Sequence, residues 1–362
     1  MKFYIITGEP SGDLHAANLV EELKKCNNKL EFRAWGGERL LAQGVELAKH
    51  IKETAFMGLL DVLKNLGAIK ENFNYCKQDI LKYKPDALIL VDYPGFNLKI
   101  AKFAKQQGIK VLYYISPKVW AWNKSRVSKI QRYVDELLVI FPFEVDFYQK
   151  YGMKVTYVGN PLLDEIGKGN FSFSYSTEKP IIALLPGSRK QEITKMLSVM
   201  LSLITDFSEY QFVIAGAPSQ DFSFYKQIIG EREVAFINNK TYDLLSVSYA
   251  ALVASGTATL ETALFKVPQV VCYKGGYISY QIAKRIITLK FISLVNLILD
   301  KEVVKELIQE DFNKQNLKVA LTNILELSNR ENIFLNYFDL EKQLGGKGAS
   351  KNVASQIVAA LK

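Results

Sequence analysis

The sequence predicts an α/β protein built from two parallel, doubly wound sheets with helices on both faces. Short apolar runs alternate with longer amphipathic runs along most of the 362 residues, a pattern typical of repeated β/α units. The alternation stops once, over residues 167–179, and then starts again. A chain of this length accommodates two domains. We therefore expect two Rossmann-like domains that face each other across a cleft.

The first series of β/α units ends at a turn, Gly-Asn-Pro at 159–161. Its elements are predicted from the period of the apolar residues, which differs between strands and helices. The predicted strands are 3–6, 31–34, 87–91, 110–115, 136–140 and 155–158, and the predicted helices include 13–25 and 98–107.

The second series has the same character and is followed by a segment, after residue 300, that we expect to be mostly helical. Its predicted strands are 181–185, 211–215, 234–237, 250–254 and 269–272, with helices at 191–205 and from about 260. We place the domains at 1–166 and 167–344. We expect a terminal helix within about 345–362, after a Gly-rich hinge.

The composition excludes several classes of protein. Hydrophobic residues make up 49% and charged residues 23%, as in ordinary globular proteins. Cys26, Cys76 and Cys272 lie far apart, which argues against a disulfide framework or a cysteine zinc site and favours a reducing cytoplasm. His15 and His50 are the only histidines, so a histidine cluster is excluded. We expect neither a secretory signal nor a membrane span.

The net charge of +9 favours an anionic partner, whether nucleic acid, an anionic lipid surface or a phosphorylated substrate. Many basic proteins have no such partner, so the charge alone leaves this question open.

Ligands of open α/β sheets bind at the carboxyl ends of the strands, so we examined the turns there. The turn after the first strand contains Ser11, Gly12 and Asp13, in which glycine permits a tight turn and a polar side chain can cap the next helix. Asp92 follows strand 87–91, where partial desolvation would raise the pKa of its carboxyl and make it a usable base. A plain turn or a helix cap is the alternative explanation of each pattern.

Aromatic residues follow strand 110–115. Ser116, Trp120 and Trp122 lie in this turn, and indole rings can stack on a sugar face or line an acyl groove. Packing of the same rings in the core is the alternative.

Two turns in the second series suit phosphate, because each combines glycine with the free amides of a helix N-terminus. The first turn adds an arginine, which can bind two phosphate oxygens at once. Glu261, further along the second helix, would accept hydrogen bonds from ribose hydroxyls. Helices capped without a ligand are the alternative. The candidate residues are Gly187, Ser188 and Arg189 after strand 181–185, and Ser255, Gly256, Thr257 and Thr259 after strand 250–254.

Taken together, these turns resemble those of one enzyme family, in the same order and over about residues 3–360. The motifs are G-E-P-S-G-D at 8–13, D-x-P-x-F-N at 92–97, S-P-x-V-W-A-W at 116–122, L-P-G-S-R at 185–189, A-S-G-T-A-T-L-E at 254–261 and S-L-x-N at 293–296. On these motifs the chain is similar to the lipid-A-disaccharide synthases, which are inverting glycosyltransferases of the GT-B fold.

The resemblance implies a reaction in lipid A, and hence lipopolysaccharide, biosynthesis. UDP-2,3-diacylglucosamine would donate its sugar to the 6-hydroxyl of 2,3-diacylglucosamine 1-phosphate, giving a β-1′,6-linked disaccharide phosphate and UDP. The first domain would then bind the acceptor and the second the UDP-sugar. The family's essential residues fall on Asp92 and Arg189, and its nucleotide-site residues on Glu261 and Asn296. Some members have aspartate where this chain has Gly95, which leaves acceptor contacts near that turn open.

The phosphate turns contain no D-x-D pair placed to hold a metal, so we expect neither a metal nor a cofactor. Acylated substrates imply a cytoplasmic enzyme that is peripheral on the inner membrane. The apolar stretch 56–66 would be an interfacial helix or, equally, a core helix. The resemblance leaves a homodimer open. It implies that the terminal helix, within about 345–362, packs either on the first domain or on a partner subunit.

Two alternatives are kept. A UDP-N-acetylglucosamine 2-epimerase or another GT-B glycosyltransferase would share the fold and the nucleotide site. A non-enzymatic nucleic-acid-binding protein is disfavoured, because the aromatic residues are spread along the chain rather than interleaved with one basic patch.

Overall fold

The computed structural model describes residues 1–53, 66–121, 125–173, 178–276, 280 and 289–361. The chain forms two compact units, one made of Met1–Asp164 with Gly346–Lys362 and the other of Glu165–Gly345. Each unit is built on one parallel sheet with flanking helices, which confirms the predicted fold class.

The described residues of the first unit form seven strands, and most of the helices among them connect one strand to the next. The strands are β1 (Lys2–Ile6), β2 (Glu31–Gly36), β3 (Glu46–His50), β4 (Ala87–Val91), β5 (Lys110–Tyr114), β6 (Glu136–Val139) and β7 (Thr156–Tyr157). The helices are α1 (Pro10–Cys26), α2 (Glu38–Ala42), α3 (Leu66–Tyr83), α4 (Pro94–Gln106), α5 (Arg126–Tyr133), α6 (Pro142–Gln149) and α7 (Pro161–Lys168), the last of which crosses into the second unit. A 3-10 turn covers Ile51–Glu53.

The first sheet is ordered β3-β2-β1-β4-β5-β6-β7 and is covered on both faces. Phe3 and Ile5 of β1 point into one hydrophobic cluster and Tyr4 and Ile6 into the other, as the two-residue period of a strand requires. The connections leave β1 and β4 towards opposite edges of the sheet. The crevice at the carboxyl ends of these two neighbouring strands is therefore where a ligand of such a sheet binds.

The second unit repeats this plan with six strands. They are β8 (Ile181–Leu185), β9 (Gln211–Gly216), β10 (Ala235–Asn238), β11 (Ser248–Ala254), β12 (Gln269–Tyr273) and β13 (Lys305–Ile308). The helices are α8 (Lys190–Leu201), α9 (Phe222–Ile229), α10 (Thr241–Val247), α11 (Thr257–Leu264), α12 (Leu294–Leu299), α13 (Lys314–Leu325) and α14 (Leu327–Gln343), with 3-10 turns at Ile204–Asp206 and Gln309–Asp311.

The second sheet is ordered β10-β9-β8-β11-β12-β13, and every strand pair is parallel. The connections leave β8 and β11 in opposite directions, so the equivalent crevice lies at the carboxyl ends of these two strands.

The sequence does not predict the edge strands β3 and β13. The described chain after residue 300 is mostly helical, as expected, and β13 is a short strand within it. Both strands contain charged residues, as Glu46–His50 and Lys305–Ile308 show, because an edge strand is partly exposed and needs no continuous apolar run. Helices α4 and α11 also begin earlier than predicted, at Pro94 and Thr257.

Two predicted features lie outside the described residues. They are Trp122 and residues 56–65, which are nearly all of the apolar stretch 56–66. None of the described helices has both the length and the apolar character needed to cross a membrane.

The terminal helix α15 (Ala349–Ala360) belongs to the first unit and packs on α1. Its residues Val353, Ala354 and Ile357 complete one of the two hydrophobic clusters of that unit. The Asp164 carboxylate caps the helix, because it accepts hydrogen bonds from the backbone amides of Gly348 (2.5 Å) and Ser350 (2.9 Å). These bonds satisfy amides that would otherwise have no partner at the start of the helix.

Asp164→Ala should lower the free energy of unfolding by about 1–2 kcal/mol, the usual cost of losing a helix cap. Urea denaturation of the full chain measures this change. Asp146→Ala, an exposed position on α6, is the matched control and should change the free energy of unfolding little. Equal stability of the two variants would show that the cap does not hold α15.

Candidate functional site

The first candidate site lies where β1 and β4 end. Asp92, directly after β4, and the following Tyr93 both have left-handed backbone conformations, with φ of +46° and +50°. The Asp92 carbonyl oxygen accepts hydrogen bonds from Asn97 Nδ2 (2.7 Å) and from the Tyr113 hydroxyl (2.6 Å). These bonds hold an otherwise strained turn in one conformation and so fix the direction in which the Asp92 side chain leaves the backbone.

Burial raises the pKa of the Asp92 carboxyl to about 6, and the nearby Glu9 carboxylate acts in the same direction. The Lys118 ammonium and the Tyr93 backbone amide favour the charged form and limit the rise. A carboxyl with a pKa near 6 is mostly ionised at neutral pH and is basic enough to accept a proton from a hydroxyl. This is the tuning that general-base catalysis needs.

The turn after β1 places its three predicted residues differently. Ser11 is exposed in the first turn of α1, whereas Gly12 is buried against the Thr7 side chain. Asp13 is also buried, and its carboxylate accepts hydrogen bonds from the backbone amides of Gly37 (2.6 Å) and Arg39 (2.9 Å). Asp13 therefore stabilises the start of α2. Of these three residues only Ser11 is exposed.

In the turn after β5, two of the predicted side chains are buried against the protein rather than open to a ligand. The Ser116 hydroxyl is 5% exposed and lies 2.6 Å from the Tyr148 hydroxyl. The Trp120 ring is 7% exposed and packs edge-on against Phe143, with ring centroids 4.9 Å apart. In the described structure both side chains support the turn, which is the packing alternative to a sugar platform.

Glu144 is the buried carboxyl group beneath this turn, and none of the motifs in the sequence pointed to it. Its carboxylate accepts hydrogen bonds from the backbone amides of Phe141 (3.0 Å) and Ile140 (3.2 Å) at the end of β6. Burial raises the pKa of Glu144 to about 7, against the effect of these amides and of the Ser116 and Trp120 side chains. The signal in the sequence was Pro142 followed by Glu144, which is the pattern of a helix start with a glutamate at its third position.

The first phosphate turn follows β8. Gly187 has a φ of +103°, which glycine adopts without strain, and Ser188 accepts a hydrogen bond from Ser219 through its carbonyl oxygen (3.1 Å). The Arg189 side chain is 80% exposed and its Nη1 lies 3.3 Å from Glu192 Oε1. An exposed arginine at the start of α8 has donors available for an anion.

The second phosphate turn follows β11. Gly256 and Thr257 are exposed at the start of α11, and a Cβ at Gly256 would meet nothing within 4 Å. Ser255 donates a hydrogen bond to the Ile292 carbonyl (3.1 Å), and the fully buried Thr259 donates one to the Gly256 carbonyl (2.8 Å). The exposed residues can therefore meet a ligand, while Ser255 and Thr259 hold the turn.

Glu261 lies further along α11 and accepts a hydrogen bond from the Tyr242 hydroxyl through Oε1 (3.2 Å). Burial raises the pKa of its carboxyl, and this hydrogen bond opposes the rise. The second oxygen of the carboxylate makes none of the described hydrogen bonds and is an acceptor for a ligand hydroxyl.

Asn296 is enclosed by the protein rather than facing solvent. Its side chain is 0% exposed and donates hydrogen bonds to the Val304 carbonyl (2.8 Å) and to Glu306 Oε1 (2.9 Å). The Glu306 carboxylate also accepts hydrogen bonds from the backbone amides of Ile292 and Ser293 (both 2.9 Å). Because Ile292 in turn bonds Ser255, this network supports the second phosphate turn. Glu306 was missed because it lies on the unpredicted strand β13.

The second unit therefore brings Gly187, Ser188 and Arg189 next to Ser255, Gly256 and Thr257, since β8 and β11 are neighbours. Among the described residues, no group of three or more His, Cys, Asp or Glu side chains could hold a metal ion.

Solved structures of other proteins share this architecture. UDP-GlcNAc 2-epimerase from Neisseria meningitidis, solved with UDP-GlcNAc bound, has a TM-score of 0.70 at 14% identity and covers 99% of this chain and 100% of its own. The glycosyltransferase of kitacinnamycin has a TM-score of 0.69 at 11% identity, and the match covers 100% of this chain and 99% of that chain. At these identities the likeness concerns the fold alone. Together with the strand-end crevices, this likeness places the chain in the GT-B fold class.

The sequence narrows the class to one family. The family model described as lipid-A-disaccharide synthetase matches residues 3–360. The lipid-A-disaccharide synthase of Coxiella burnetii (strain CbuG_Q212) is 38% identical over 98% of this chain and 96% of its own. The lipid-A-disaccharide synthase of Geobacter sulfurreducens is 36% identical over 99% of this chain and 97% of its own. The chain belongs to the lipid-A-disaccharide synthase family and is a glycosyltransferase of lipid A biosynthesis, which confirms the resemblance inferred from its motifs.

Asp92→Asn should change how stability depends on pH. The folded-state pKa near 6 is above the unfolded value of about 3.9, so folding disfavours the charged form. The contribution of Asp92 to the stability of the wild type should fall as the pH rises from about 4 through 6 and then level off. Asparagine carries no charge, so the variant should gain roughly 1–3 kcal/mol over the wild type at pH 8 and little at pH 4.

Urea denaturation at the two pH values measures this difference. Asp146→Asn is the control, because this exposed carboxylate should give the same small effect at both. A gain for Asp92→Asn that is equal at pH 4 and pH 8 would contradict the burial of the Asp92 charge.

Proposed function

We propose that this protein transfers the sugar of UDP-2,3-diacylglucosamine, with inversion, to the 6-hydroxyl of 2,3-diacylglucosamine 1-phosphate. The products are the β-1′,6-linked disaccharide 1-phosphate and UDP. Membership of the family supports the reaction, and one observation of the structure carries the mechanism. That observation is the Asp92 carboxylate on its fixed turn at the β1–β4 crevice, with a raised pKa.

Asp92 is the general base in this proposal. Its carboxylate takes the proton of the acceptor 6-hydroxyl as the oxygen attacks the anomeric carbon, while the bond from that carbon to the UDP oxygen breaks. Direct displacement from the opposite face inverts the anomeric centre. A positioned base of this kind contributes about 10²–10⁴-fold in rate.

The departing UDP gains negative charge on its diphosphate, and the second unit can stabilise it. The exposed amides at the starts of α8 and α11 point partial positive charge towards the β8–β11 crevice. The exposed Arg189 guanidinium adds a full positive charge at the same crevice. Preorganised donors that meet developing charge are the largest source of catalysis in many enzymes.

The nucleoside of the donor would lie towards Glu261. Its carboxylate, held by the Tyr242 hydroxyl, has an oxygen available for the ribose hydroxyls. In this proposal Asn296 has a supporting role and does not contact the donor. It anchors the loop whose Ile292 carbonyl accepts a hydrogen bond from Ser255, and so it stabilises the phosphate turn.

The acyl chains of both substrates require a membrane surface. Burying one CH₂ group is worth about 0.8 kcal/mol, so a fatty acyl chain does not leave the bilayer freely. We propose a cytoplasmic protein that is peripheral on the inner membrane, where the net charge of +9 favours anionic lipids. In a homodimer that exchanged α15, Asp164 of one subunit would cap α15 of the other subunit with the same two hydrogen bonds. Sedimentation of the full chain measures whether a dimer forms.

The proposed reaction is tested by incubating the protein with both diacylated sugars and analysing the product by mass spectrometry. A disaccharide 1-phosphate supports the proposal. An epimerised nucleotide sugar would instead favour a 2-epimerase activity, which is the activity named for the Neisseria meningitidis neighbour.

Asp92→Asn and Asp92→Ala should each lower kcat at least about 100-fold, because the acceptor hydroxyl loses its base. The affinity for UDP, measured by calorimetry, should stay within about twofold, because the diphosphate turns belong to the second unit. Asp146→Asn is the control and should keep wild-type turnover. Near-normal turnover in both Asp92 variants would reject Asp92 as the base.

The activity should fall as the pH drops through about 6, because protonated Asp92 cannot accept a proton. Lys118→Met removes a positive charge that favours the ionised form, so it should move the acidic limb of the kcat/KM profile to higher pH. Lys129→Met, an exposed lysine on α5, should leave the limb in place. A limb that does not move in Lys118→Met would show that another group controls it.

A further inference from the structure

The turn after β5 presents one lysine to solvent. Of residues 116–120 only Lys118 is exposed, and the other four are buried. The Lys118 carbonyl accepts a hydrogen bond from the Ala121 amide (3.1 Å), which fixes the backbone at the base of this side chain. In the described part of the chain, the Lys118 ammonium makes no hydrogen bond and no ion pair within 4 Å. A lysine ammonium has three donors and a full positive charge, so this turn offers a cation to an anionic ligand.

Lys118 lies beside the proposed base. Asp92 follows β4 and Lys118 follows β5, and these strands are parallel neighbours. The Asp92 backbone amide donates a hydrogen bond to the Tyr114 carbonyl (3.2 Å), which ties the end of β4 to the end of β5. Burial raises the pKa of the Asp92 carboxyl, and the Lys118 ammonium is close enough to oppose this rise. The base and the cation therefore belong to the same crevice.

The charges on the two sides of Asp92 have opposite signs. The strand order is β1-β4-β5, and the exposed Glu9 follows β1. Its carboxylate acts with burial to raise the pKa of Asp92, so Glu9 also lies near the base. Neighbouring strands are about 4.8 Å apart, so the turns of Glu9 and Lys118 are separated by roughly 10 Å. Across this edge of the sheet, an anion lies on the β1 side of Asp92 and a cation on the β5 side.

A second cation lies on the β5 side. Arg126 is the first residue of α5, which follows β5. Burial and the Asp92 charge raise the pKa of the Tyr113 hydroxyl, and the Arg126 guanidinium opposes this rise. That hydroxyl bonds the Asp92 carbonyl oxygen (2.6 Å), so Arg126 adds positive potential near the same turn.

The proposed acceptor has groups that match this order of charges. A 2,3-diacylglucosamine 1-phosphate has free hydroxyls on C4 and C6, and its phosphate is on C1, across the ring from C4. With the 6-hydroxyl at Asp92, a phosphate directed towards β1 would be repelled by Glu9. A phosphate directed towards β5 is attracted by Lys118. The 4-hydroxyl then faces β1, where the Glu9 carboxylate can accept a hydrogen bond.

We infer that the Lys118 ammonium binds the 1-phosphate of the acceptor and so orients the sugar with its 6-hydroxyl at Asp92. This inference rests on the proposed function, because it takes the ligand of the first unit to be a sugar 1-phosphate. Lys118 then distinguishes the phosphorylated acceptor from the same sugar without its phosphate.

The test compares kcat/KM for 2,3-diacylglucosamine 1-phosphate and for 2,3-diacylglucosamine, at pH 8 in micelles of a neutral detergent. At this pH Asp92, with its pKa of about 6, is ionised. The neutral micelle removes any contribution from a contact between Lys118 and anionic lipid. The wild type should prefer the phosphorylated acceptor roughly 10–100-fold, as expected for a hydrogen-bonded ion pair. Lys118→Met should lose most of this preference, with kcat/KM for the sugar without phosphate unchanged within about twofold.

Three controls accompany this variant. Lys118→Arg keeps the charge and should keep most of the preference for the phosphorylated acceptor. Lys129→Met removes an exposed lysine from α5 and should keep the wild-type preference. Lys118 is exposed, so Lys118→Met should unfold at the same temperature as the wild type.

Two results would overturn the inference. One is a wild-type preference for the phosphorylated acceptor in Lys118→Met. The other is an equal loss of kcat/KM for both acceptors, which would place the effect on Asp92 or on the fold. The proposed function fails separately, if the wild type makes no disaccharide. In that case calorimetry with the two acceptors still measures whether Lys118 recognises the phosphate.

Discussion

The hydrogen bonds to the Asp92 carbonyl oxygen are the interaction on which the proposed chemistry depends. Two consecutive left-handed residues raise the free energy of this turn, by roughly 1–3 kcal/mol each. The buried Asn97 and Tyr113 offset this cost by bonding the same carbonyl. Proton transfer requires the base to lie within hydrogen-bonding reach of the hydroxyl. The protein thus accepts local strain at the residue whose direction matters most for catalysis.

The second unit positions its phosphate turn by a related means. Here the anchor is a buried side-chain network, in which Glu306 and Asn296 bond the chain on both sides of α12. The loop before α12 then holds Ser255 through the Ile292 carbonyl. In both units a buried polar residue fixes backbone, and the fixed backbone presents a separate residue to the ligand. A substitution at the anchor and one at the presented residue should therefore both impair function, for different physical reasons.

Most of the fold could be predicted from the sequence because the central strands of both sheets are buried on two faces and appear as continuous apolar runs, as in Ala87–Val91 and Ile181–Leu185. The edge strands β3 and β13 could not, since their exposed positions admit charged residues. The location of the candidate sites could also be predicted, because it follows from the ends of the strands. The direction of each side chain could not. Asp13, Thr259 and Asn296 are the same kinds of residue as those that contact ligands, but their hydrogen bonds turn them towards the backbone.

The discontinuous make-up of the first unit has a consequence for synthesis on the ribosome. Val353, Ala354 and Ile357 complete its hydrophobic cluster, yet they are translated only after the whole of Glu165–Gly345. At about 5–20 residues per second, the nascent first sheet waits roughly 10–40 s with one apolar face of α1 uncovered. The second unit is one continuous stretch of chain, Glu165–Gly345, so it can complete its folding before the first unit does. The order of folding would then be the reverse of the order of translation, and the waiting surface is one that a chaperone can recognise.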